Sequence, residues 1–194
     1  MAGVAAKKQL RKEILRRRKL LSQDLVNRLS LSIQKHFIDW LQGQKVSTIH
    51  SFLPIERNRE VNTWPLIEAL EKADKRVILT QTNFDTETMD HFLYESHVKF
   101  VEDQFKIPTP VNAQPADSKT VDVVLVPLLA ADKAGGRIGY GKGYYDRLIG
   151  EMAADVIKIG LTLGPCFDKF SFLEPHDQKL DYCITPYQVI DCYE

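Results

Sequence analysis

Apolar residues recur at helical spacing through the first quarter of the chain. From Lys7 to Leu21 they fall mostly on one face, which predicts a helix, and after Ser22 they recur at every fourth position. Ser22 is a suitable N-cap for this second helix, Asp24 follows in its first turn, and Gly43 marks its end. Two consecutive helices before any strand predict an antiparallel helix pair at the start of the fold.

From position 46 the apolar residues change from helical to strand spacing. The predicted strands span 46–53, 76–80, 89–94, 121–126 and 156–161, with a last short strand or loop at 184–186. Helices are predicted over about 63–74 and 143–152, and the prolines within 104–118 predict an extended connection. Because strands alternate with helices, we predict an α/β fold with a mostly parallel, Rossmann-like three-layer sheet. In such sheets ligands bind beyond the carboxyl ends of the strands.

Length and composition fit one ordinary globular domain spanning residues 1–194. Hydrophobic residues make up 44% of the 194 positions and charged residues 27%, without internal repeats or low-complexity linkers. No uncharged apolar run approaches the roughly 18 residues of a membrane helix, and we expect no secretory signal. The three cysteines lack C-x-x-C spacing, which argues against a zinc ribbon and for a reducing compartment. We therefore expect a cytoplasmic protein without a membrane partner.

The net charge of zero hides a basic segment near the start of the chain. Lys7 to Lys19 contains eight basic residues and one acid, Glu13, so this segment carries +7 and the rest of the chain −7. Such a segment is either the solvated face of a helix or a cradle for a polyanion, which would be a nucleic acid or a phosphorylated ligand. No aromatic residues are interleaved within 7–19, so we expect no nucleic-acid partner.

Five of the ten glycines lie within nine residues, between the strand at 121–126 and the helix that follows it. They are Gly135, Gly136, Gly139, Gly141 and Gly143. Dense glycine lets the backbone take positive φ and lets an anion approach the N–H groups, and a helix start adds partial positive charge. Arg137 and Lys142 add full charges. The pattern predicts a phosphate-binding loop rather than a flexible hairpin.

Two known phosphate-binding patterns fail in this loop. Gly136 to Lys142 has the P-loop spacing G-x-x-x-x-G-K, but Gly143 stands where a hydroxyl residue would bind Mg²⁺. The glycines also lack the G-x-G-x-x-G spacing of dinucleotide-binding folds. A metal bound with a nucleotide would need a carboxylate from elsewhere. Asp146, in the first turn of the next helix, is close enough unless it only complements the helix dipole, and Asp181 is a second candidate that spacing does not bring near.

The segment R-I-G-Y-G-K-G-Y-Y-D-R at 137–147 resembles the signature R-L-G-x-G-x-G-Y-Y-D of the 5-formyltetrahydrofolate cyclo-ligase (methenyltetrahydrofolate synthetase) family. K-K-Q-L-R at 7–11, S-F-L-P…E-V-N-T at 51–63 and H-D-x-x-L-D…I-T-P at 176–186 resemble further elements of that family. The resemblance therefore extends over the whole chain.

This resemblance implies a ligase of folate and one-carbon metabolism that depends on ATP and Mg²⁺. The formyl oxygen of 5-formyltetrahydrofolate would attack the γ-phosphate of ATP, and N10 would then add to the activated carbon. The products would be 5,10-methenyltetrahydrofolate, ADP and phosphate. We expect a monomer that acts on these small molecules; the alternative is an ATP-dependent enzyme of the same fold that acts on another acceptor.

The resemblance also implies the site residues. The residues expected to bind ATP are Lys7, Lys8, Gln9, Leu10, Arg11, Arg137, Ile138, Gly139, Tyr140, Gly141, Lys142, Gly143, Tyr144 and Tyr145. Those expected to bind the folate are Phe52, Leu53, Ile55, Glu60, Phe105, Tyr140 and Tyr144, with Leu53 and Ile55 competing for one position. Asp146 and Asp181 would hold Mg²⁺. Arg137 and Lys142 are the candidate catalytic residues, although Lys142 could be a phosphate contact alone, because many relatives have Gly there.

Overall fold

Helices and strands alternate along the chain in the computed structural model, which describes residues 2–83, 86, 88–103, 107–173 and 177–192. The helices are α1 (Ala2–Lys19), α2 (Gln23–Leu41), α3 (Trp64–Lys72) and α4 (Tyr144–Glu151). The strands are β1 (Thr48–Ser51), β2 (Arg76–Asn83), β3 (Thr88–Leu93), β4 (Lys99–Glu102), β5 (Pro108–Val111), β6 (Val123–Pro127), β7 (Ala130–Ala131), β8 (Arg137–Ile138), β9 (Ile157–Leu161), β10 (Tyr182–Ile184) and β11 (Val189–Asp191). No helix in these described ranges is long and apolar enough to cross a membrane.

Seven strands form one sheet in the order β11-β10-β9-β6-β1-β2-β3. The five inner strands are parallel, and the edge strands β3 and β11 pair antiparallel with their neighbours. From β1 the chain crosses to β2 on one side, whereas β6 lies on the other side of β1 and leads to β9. The strand order therefore reverses between β1 and β6, which opens a crevice at their carboxyl ends.

Helices cover both faces of this sheet. In β6, Val123 and Leu125 pack in the cluster that contains the buried residues of α2 and α3. Val124 and Val126 point to the opposite face and pack with Leu148 and other buried residues of α4. This alternation follows from the two-residue period of a strand, and continuous burial makes β6 an inner strand. The predicted α/β class, the mostly parallel sheet and its three layers are confirmed.

The two N-terminal helices are consecutive, as predicted, but each packs mainly against another part of the fold. The Ser22 side chain accepts a hydrogen bond from the Leu25 N–H at 3.2 Å and caps α2, which packs on α3 and the sheet. In α1, Leu10 and Ile14 pack in the cluster around Phe170. A cavity of about 520 Å³ is lined by Ile14 of α1, by Leu25 and Leu29 of α2 and by residues 162–167, so the two helices do not pack closely along this face.

The structure contains two short hairpins that the sequence pattern does not predict. β4 and β5 pair antiparallel in the proline-rich region where we predicted only an extended connection. β7 and β8 form a second antiparallel pair after β6, with Gly135 and Gly136 in the turn that joins them. Such two-stranded pairs are short and only partly apolar, so the hydrophobic pattern that reveals β6 is missing from them.

Candidate functional site

The candidate site is a cavity of about 590 Å³ at the carboxyl ends of β1 and β6. Phe52 and Leu53, which follow β1, line it together with Pro127, the last residue of β6. The volume is within the range of known small-molecule sites. Three further parts of the chain contribute to the lining: the segment 137–143, called the glycine loop below, the second and third turns of α1, and the first turn of α4.

A buried carboxylate shapes the turn before the glycine loop. Asp132 is fully buried, and its Oδ1 accepts hydrogen bonds from the N–H groups of Gly136 at 2.7 Å and Ala134 at 3.0 Å. Its Oδ2 accepts another from the Phe170 N–H at 2.7 Å. A Cβ on Gly136 would lie 2.6 Å from that same oxygen. Gly136 is therefore needed for the close packing of the turn, and the density of glycine here has more than one cause.

Asp132 is not among the residues predicted from the sequence, although the sequence carries a signal for it. An Asp two residues before Ala134 can form an Asx-turn, and the sequence D-K-A-G-G has the composition of such a turn. What the sequence does not show is that the second carboxylate oxygen is taken up by Phe170, which is 38 residues further along the chain.

Gly139, Gly141 and Gly143 line the cavity, and Gly141 and Gly143 have φ values of +87° and +71°. Arg11 of α1 docks on this loop, where its Nε donates to the Gly139 carbonyl oxygen at 2.8 Å. A Cβ on Gly141 would lie only 2.8 Å from the Arg11 Cζ, so a side chain here would displace the guanidinium group. The glycine loop and α1 thus form one cationic wall.

Further cations and a helix start adjoin this wall. Lys8 and Lys142 are exposed at the rim of the cavity, and neither forms an ion pair with any described residue. Lys7 pairs with Asp177, with 2.7 Å between Nζ and Oδ2. Gly143 is the N-cap of α4, and the partial positive charge at a helix N-terminus adds to the attraction for an anion.

Arg137 is buried beneath the loop and is held by two partners. One Nη donates to the Asp146 Oδ1 at 2.7 Å, and the other donates to the carbonyl oxygen of Gln178. Burial lowers the pKa of Arg137, whereas the carboxylates of Asp146 and Asp177 oppose that shift. Arg137 therefore contributes a fixed positive charge at the base of the cavity, with its orientation set by Asp146.

A second wall, called the acid wall below, consists of Phe52, Leu53, Ile55 and Glu60. Glu60 is 5% exposed, its Oε2 accepts a hydrogen bond from the Ile55 N–H at 2.7 Å, and its Oε1 accepts one from the Tyr140 hydroxyl. Burial raises the pKa of Glu60, and the two hydrogen bonds and the Arg18 guanidinium oppose that shift. Leu53 and Ile55 both line the cavity, so the structure does not choose between them.

The structure brings most of the predicted nucleotide residues to the cavity. The lining includes Lys7, Lys8, Arg11, Arg137, Gly139, Tyr140, Gly141, Lys142, Gly143, Tyr144 and Tyr145. Gln9, Leu10 and Ile138 do not line it: Gln9 is exposed, and the other two pack in the apolar cluster around Phe170. The predicted folate residue Phe105 lies outside the described residues. Lining residues that sequence analysis missed include Thr80, Thr82, Met89, Ile107, Phe172 and Asp177.

The two predicted metal ligands are not brought together. Asp146 lines the cavity, but Asp181 does not. The Asp181 Oδ2 accepts from the Lys158 N–H at 2.7 Å and lies 2.9 Å from the Lys158 Nζ, so its carboxylate is occupied at the sheet. Within the part of the chain that the structure describes, no group of three His, Cys, Asp or Glu residues could hold a metal ion.

Both the sequence and the fold of this chain are similar to those of known proteins. The sequence model of the 5-formyltetrahydrofolate cyclo-ligase family matches residues 4–186. The 5-formyltetrahydrofolate cyclo-ligase of Mycolicibacterium smegmatis is 29% identical over 154 residues, which cover 76% of this chain and 78% of that relative. The one from Mycoplasma pneumoniae is 28% identical over 181 residues, which cover 92% and 98%. The solved structure of the Aquifex aeolicus 5,10-methenyltetrahydrofolate synthetase is similar over 97% of this chain and 93% of that chain, with a TM-score of 0.82 and 27% identity.

Proposed function

Because the chain belongs to the 5-formyltetrahydrofolate cyclo-ligase family, we propose that it uses ATP to convert 5-formyltetrahydrofolate into 5,10-methenyltetrahydrofolate, with release of ADP and phosphate. The observation that carries this proposal is one cavity lined by both the cationic glycine loop and the acid wall. A reaction between a nucleotide and a second substrate needs both to be held in a single water-poor space.

The glycine loop is proposed to bind the triphosphate of ATP. Its glycines leave the backbone open to a bulky anion, α4 begins at its end, and Arg11, Lys8 and Lys142 bring positive charge from two directions. This arrangement meets the main requirement of phosphoryl transfer, which is positioning with neutralisation of the moving negative charge. It also assigns part of the basic segment of α1 to a phosphorylated ligand rather than to a nucleic acid.

The acid wall is proposed to bind the pterin ring of the folate. An ionised Glu60 accepts hydrogen bonds and donates none, which matches the neighbouring amino and ring N–H groups of a pterin. Phe52, Leu53 and Ile55 provide the apolar surface that a flat ring needs, and Tyr140 and Tyr144 extend this surface onto the glycine loop.

The proposed chemistry follows from the weak reactivity of a formamide. Nitrogen donation deactivates the formyl carbon, so phosphorylation of the formyl oxygen must precede attack by N10, and phosphate then leaves. Lys142 is proposed to stabilise the transferring phosphoryl group, and Arg137 to supply a fixed positive charge below it.

Mg²⁺ is part of this proposal. An ion that is held together with a nucleotide needs one or two carboxylates, because phosphate oxygens and water supply its other ligands. Asp146 and Asp177 line the cavity, where they pair with Arg137 and Lys7, and we propose that these carboxylates hold the ion when the nucleotide is bound. When bound, Mg²⁺ would neutralise charge on the phosphates. Asp181 is not assigned this role, because it does not line the cavity.

The test is an assay with 5-formyltetrahydrofolate, ATP and Mg²⁺ near neutral pH. The near-ultraviolet chromophore of the methenyl product should grow in step with phosphate release, and neither should occur without ATP. Absence of the chromophore while ATP stays intact would refute the activity. Phosphate release that needs a different acceptor would instead favour an ATP-dependent enzyme with another substrate. Light scattering on the same sample would check the proposed monomer.

A further inference from the structure

Arg18 belongs to the basic segment of α1, but its environment differs from that of its neighbours. The side chains of Arg16 and Arg17 are 62% and 73% exposed and pair with Glu13, as expected for a solvated helix face. Arg18 is only 7% exposed. A buried guanidinium group is costly unless its N–H groups are paired, so its partners show what the fold gains from it.

All three nitrogens of the Arg18 guanidinium donate hydrogen bonds. Nε donates to the Asn58 carbonyl oxygen at 2.8 Å, and Nη1 donates to the Leu128 carbonyl oxygen at 3.0 Å. Nη2 donates to the hydroxyl oxygen of Tyr140. The planar fork of an arginine can reach three directions at once, which a lysine ammonium on a flexible stem does less well. Arg18 therefore joins the loop after β1, the loop after β6 and the glycine loop.

The hydrogen bond from Arg18 determines where the hydroxyl proton of Tyr140 points. A tyrosine hydroxyl has one proton to donate, and Arg18 occupies the acceptor side of this oxygen, so the proton points to the Glu60 Oε1. Glu60 thus accepts from Tyr140 on one oxygen and from the Ile55 N–H on the other. Both Glu60 and Tyr140 line the cavity, whereas Arg18 does not and lies behind them.

Arg18 also acts on Glu60 through its positive charge. Within the described residues, the titratable or charged groups that act on Glu60 are Arg18 from α1, Tyr140 from the glycine loop and Tyr145 from α4. Burial raises the pKa of both tyrosines, so they stay neutral and Arg18 brings the positive charge. Burial raises the pKa of Glu60, and the hydrogen bonds from Tyr140 and the Ile55 N–H together with the Arg18 guanidinium limit that rise.

We propose that Arg18 is a positioning residue that favours the carboxylate form of Glu60 and ties it, through the Tyr140 hydroxyl, to the glycine loop. The buried chain Arg18–Tyr140–Glu60 connects the wall that we assign to the pterin with the loop that we assign to ATP. It makes the charge of the acid wall depend on a residue that touches neither substrate. The part that concerns substrates rests on the proposed function.

The test compares Arg18→Met, which keeps the length but removes the charge, and Arg18→Lys, which keeps the charge without the fork. Arg16→Met is the matched control, because Arg16 is exposed on the same helix. The first measurement is a carbon-13 titration of the glutamate carboxyl groups in the free protein, with Glu60→Gln identifying the signal. Arg18→Met should raise the titration midpoint of Glu60, whereas Arg18→Lys should raise it less and Arg16→Met should leave it unchanged.

The second measurement is the affinity for 5-formyltetrahydrofolate and for ATP as a function of pH. Arg18→Met should weaken folate binding by about tenfold, the effect of losing one charged hydrogen-bond partner, and should change ATP binding much less. Folate binding should also be lost at a higher pH than in the unmodified protein, because a carboxylate with a raised pKa is protonated earlier as the pH falls. In Arg18→Ala, millimolar guanidinium ion should restore part of the affinity, entering through the cavity between α1 and α2 that Arg18 lines.

An unchanged Glu60 midpoint in Arg18→Met, or an equal loss of folate and ATP affinity, would overturn the proposal. If the unmodified protein binds no reduced folate, the proposed function fails, but the carbon-13 titration still decides the role of Arg18. If circular dichroism shows that Arg18→Met does not fold, Arg18→Lys carries the test. Folate affinity equal to that of the unmodified protein in Arg18→Lys would then refute the requirement for the fork.

Discussion

The Arg11 Nε donates a hydrogen bond of 2.8 Å to the carbonyl oxygen of Gly139, 128 residues further along the chain. This contact makes α1 a wall of the candidate nucleotide site, although α1 lies outside the sheet that forms the rest of it. The basic segment of α1 therefore has three parts with different environments. Lys7, Lys8 and Arg11 lie at the cavity, Arg16 and Arg17 face solvent, and Arg18 is buried.

Replacement of Gly141 by Ala tests the contact between α1 and the glycine loop. The positive φ of Gly141 disfavours any side chain by about 1–3 kcal/mol, and the new Cβ would lie 2.8 Å from the Arg11 Cζ. We expect a lower melting temperature and a KM for ATP raised by about tenfold, because Arg11 must leave Gly139 to make room.

Gly150→Ala is the matched control for this prediction. Gly150 lies within α4, and apart from its chain neighbours and the backbone of that helix, no atom of the residues that the structure describes would stand within 4 Å of a new Cβ. Alanine in a helix should leave the KM unchanged and stabilise the protein by about 0.5–1 kcal/mol. Equal kinetic effects of the two substitutions would mean that the conformation of Gly141 is irrelevant to the site.

Lys142→Ala decides between the two roles left open for Lys142. If Lys142 stabilises the transferring phosphoryl group, kcat should fall by about 100-fold while the KM for ATP changes little. We expect this result, since Lys142 is exposed at the cavity and has no ion-pair partner among the described residues that would fix it elsewhere. A raised KM with unchanged kcat would reduce Lys142 to a phosphate contact. Lys12→Ala, on the exposed face of α1, should change neither constant.

Much of the fold follows from local patterns in the sequence. The β-branched run 121–126 marks an inner strand because burial on both faces removes polar residues from it. The clustered glycines mark the loop after β6, since positive φ and close approach of an anion both select glycine. These signals are local, so one sequence is enough to find them.

The parts that sequence analysis missed depend on contacts between distant segments. Arg18 looks like any other residue of the basic segment until the loops at Asn58 and Leu128 close over it. Asp177 and Asp181 are four residues apart, and only the course of the chain shows that Asp177 reaches the cavity while Asp181 pairs with Lys158. The packing of distant segments decides which of these side chains is buried or reaches the cavity. The order of residues along one sequence does not show that packing.

The difference between Asp146 and Asp181 leads to a paired prediction about Mg²⁺. Asp146→Asn should raise the Mg²⁺ concentration needed for half-maximal activity by about tenfold, because it removes a carboxylate from the cavity wall. Asp181→Asn should instead lower the melting temperature, since it breaks a pair with Lys158 that is only 12–19% exposed, and should leave the Mg²⁺ dependence unchanged. A shift in Mg²⁺ dependence with Asp181→Asn would show that this carboxylate reaches the metal after all.

The buried His50, which lies beside the half-buried His91 and the Tyr145 ring of α4, predicts a loss of stability in acid. The His50 Nε2 lies 3.3 Å from the His91 Nδ1, and the His50 Nδ1 has no hydrogen-bond partner within the described part of the chain. Burial lowers the pKa of His50 to about 3. Between that value and the ordinary pKa of about 6.5, the unfolded chain binds a proton that the folded protein excludes. Stability must therefore rise with pH across this window and fall as the pH drops through it.

The measurement is the free energy of unfolding in urea at several pH values between 4 and 6. His50→Gln should reduce the slope of that free energy by about 1.4 kcal/mol per pH unit, because one titrating group is removed. His97→Gln, whose side chain is 78% exposed, should leave the slope as it is. An unaltered slope in His50→Gln would mean that other groups bind the protons taken up on unfolding. Stability that increased on acidification would contradict the sign of the His50 shift itself.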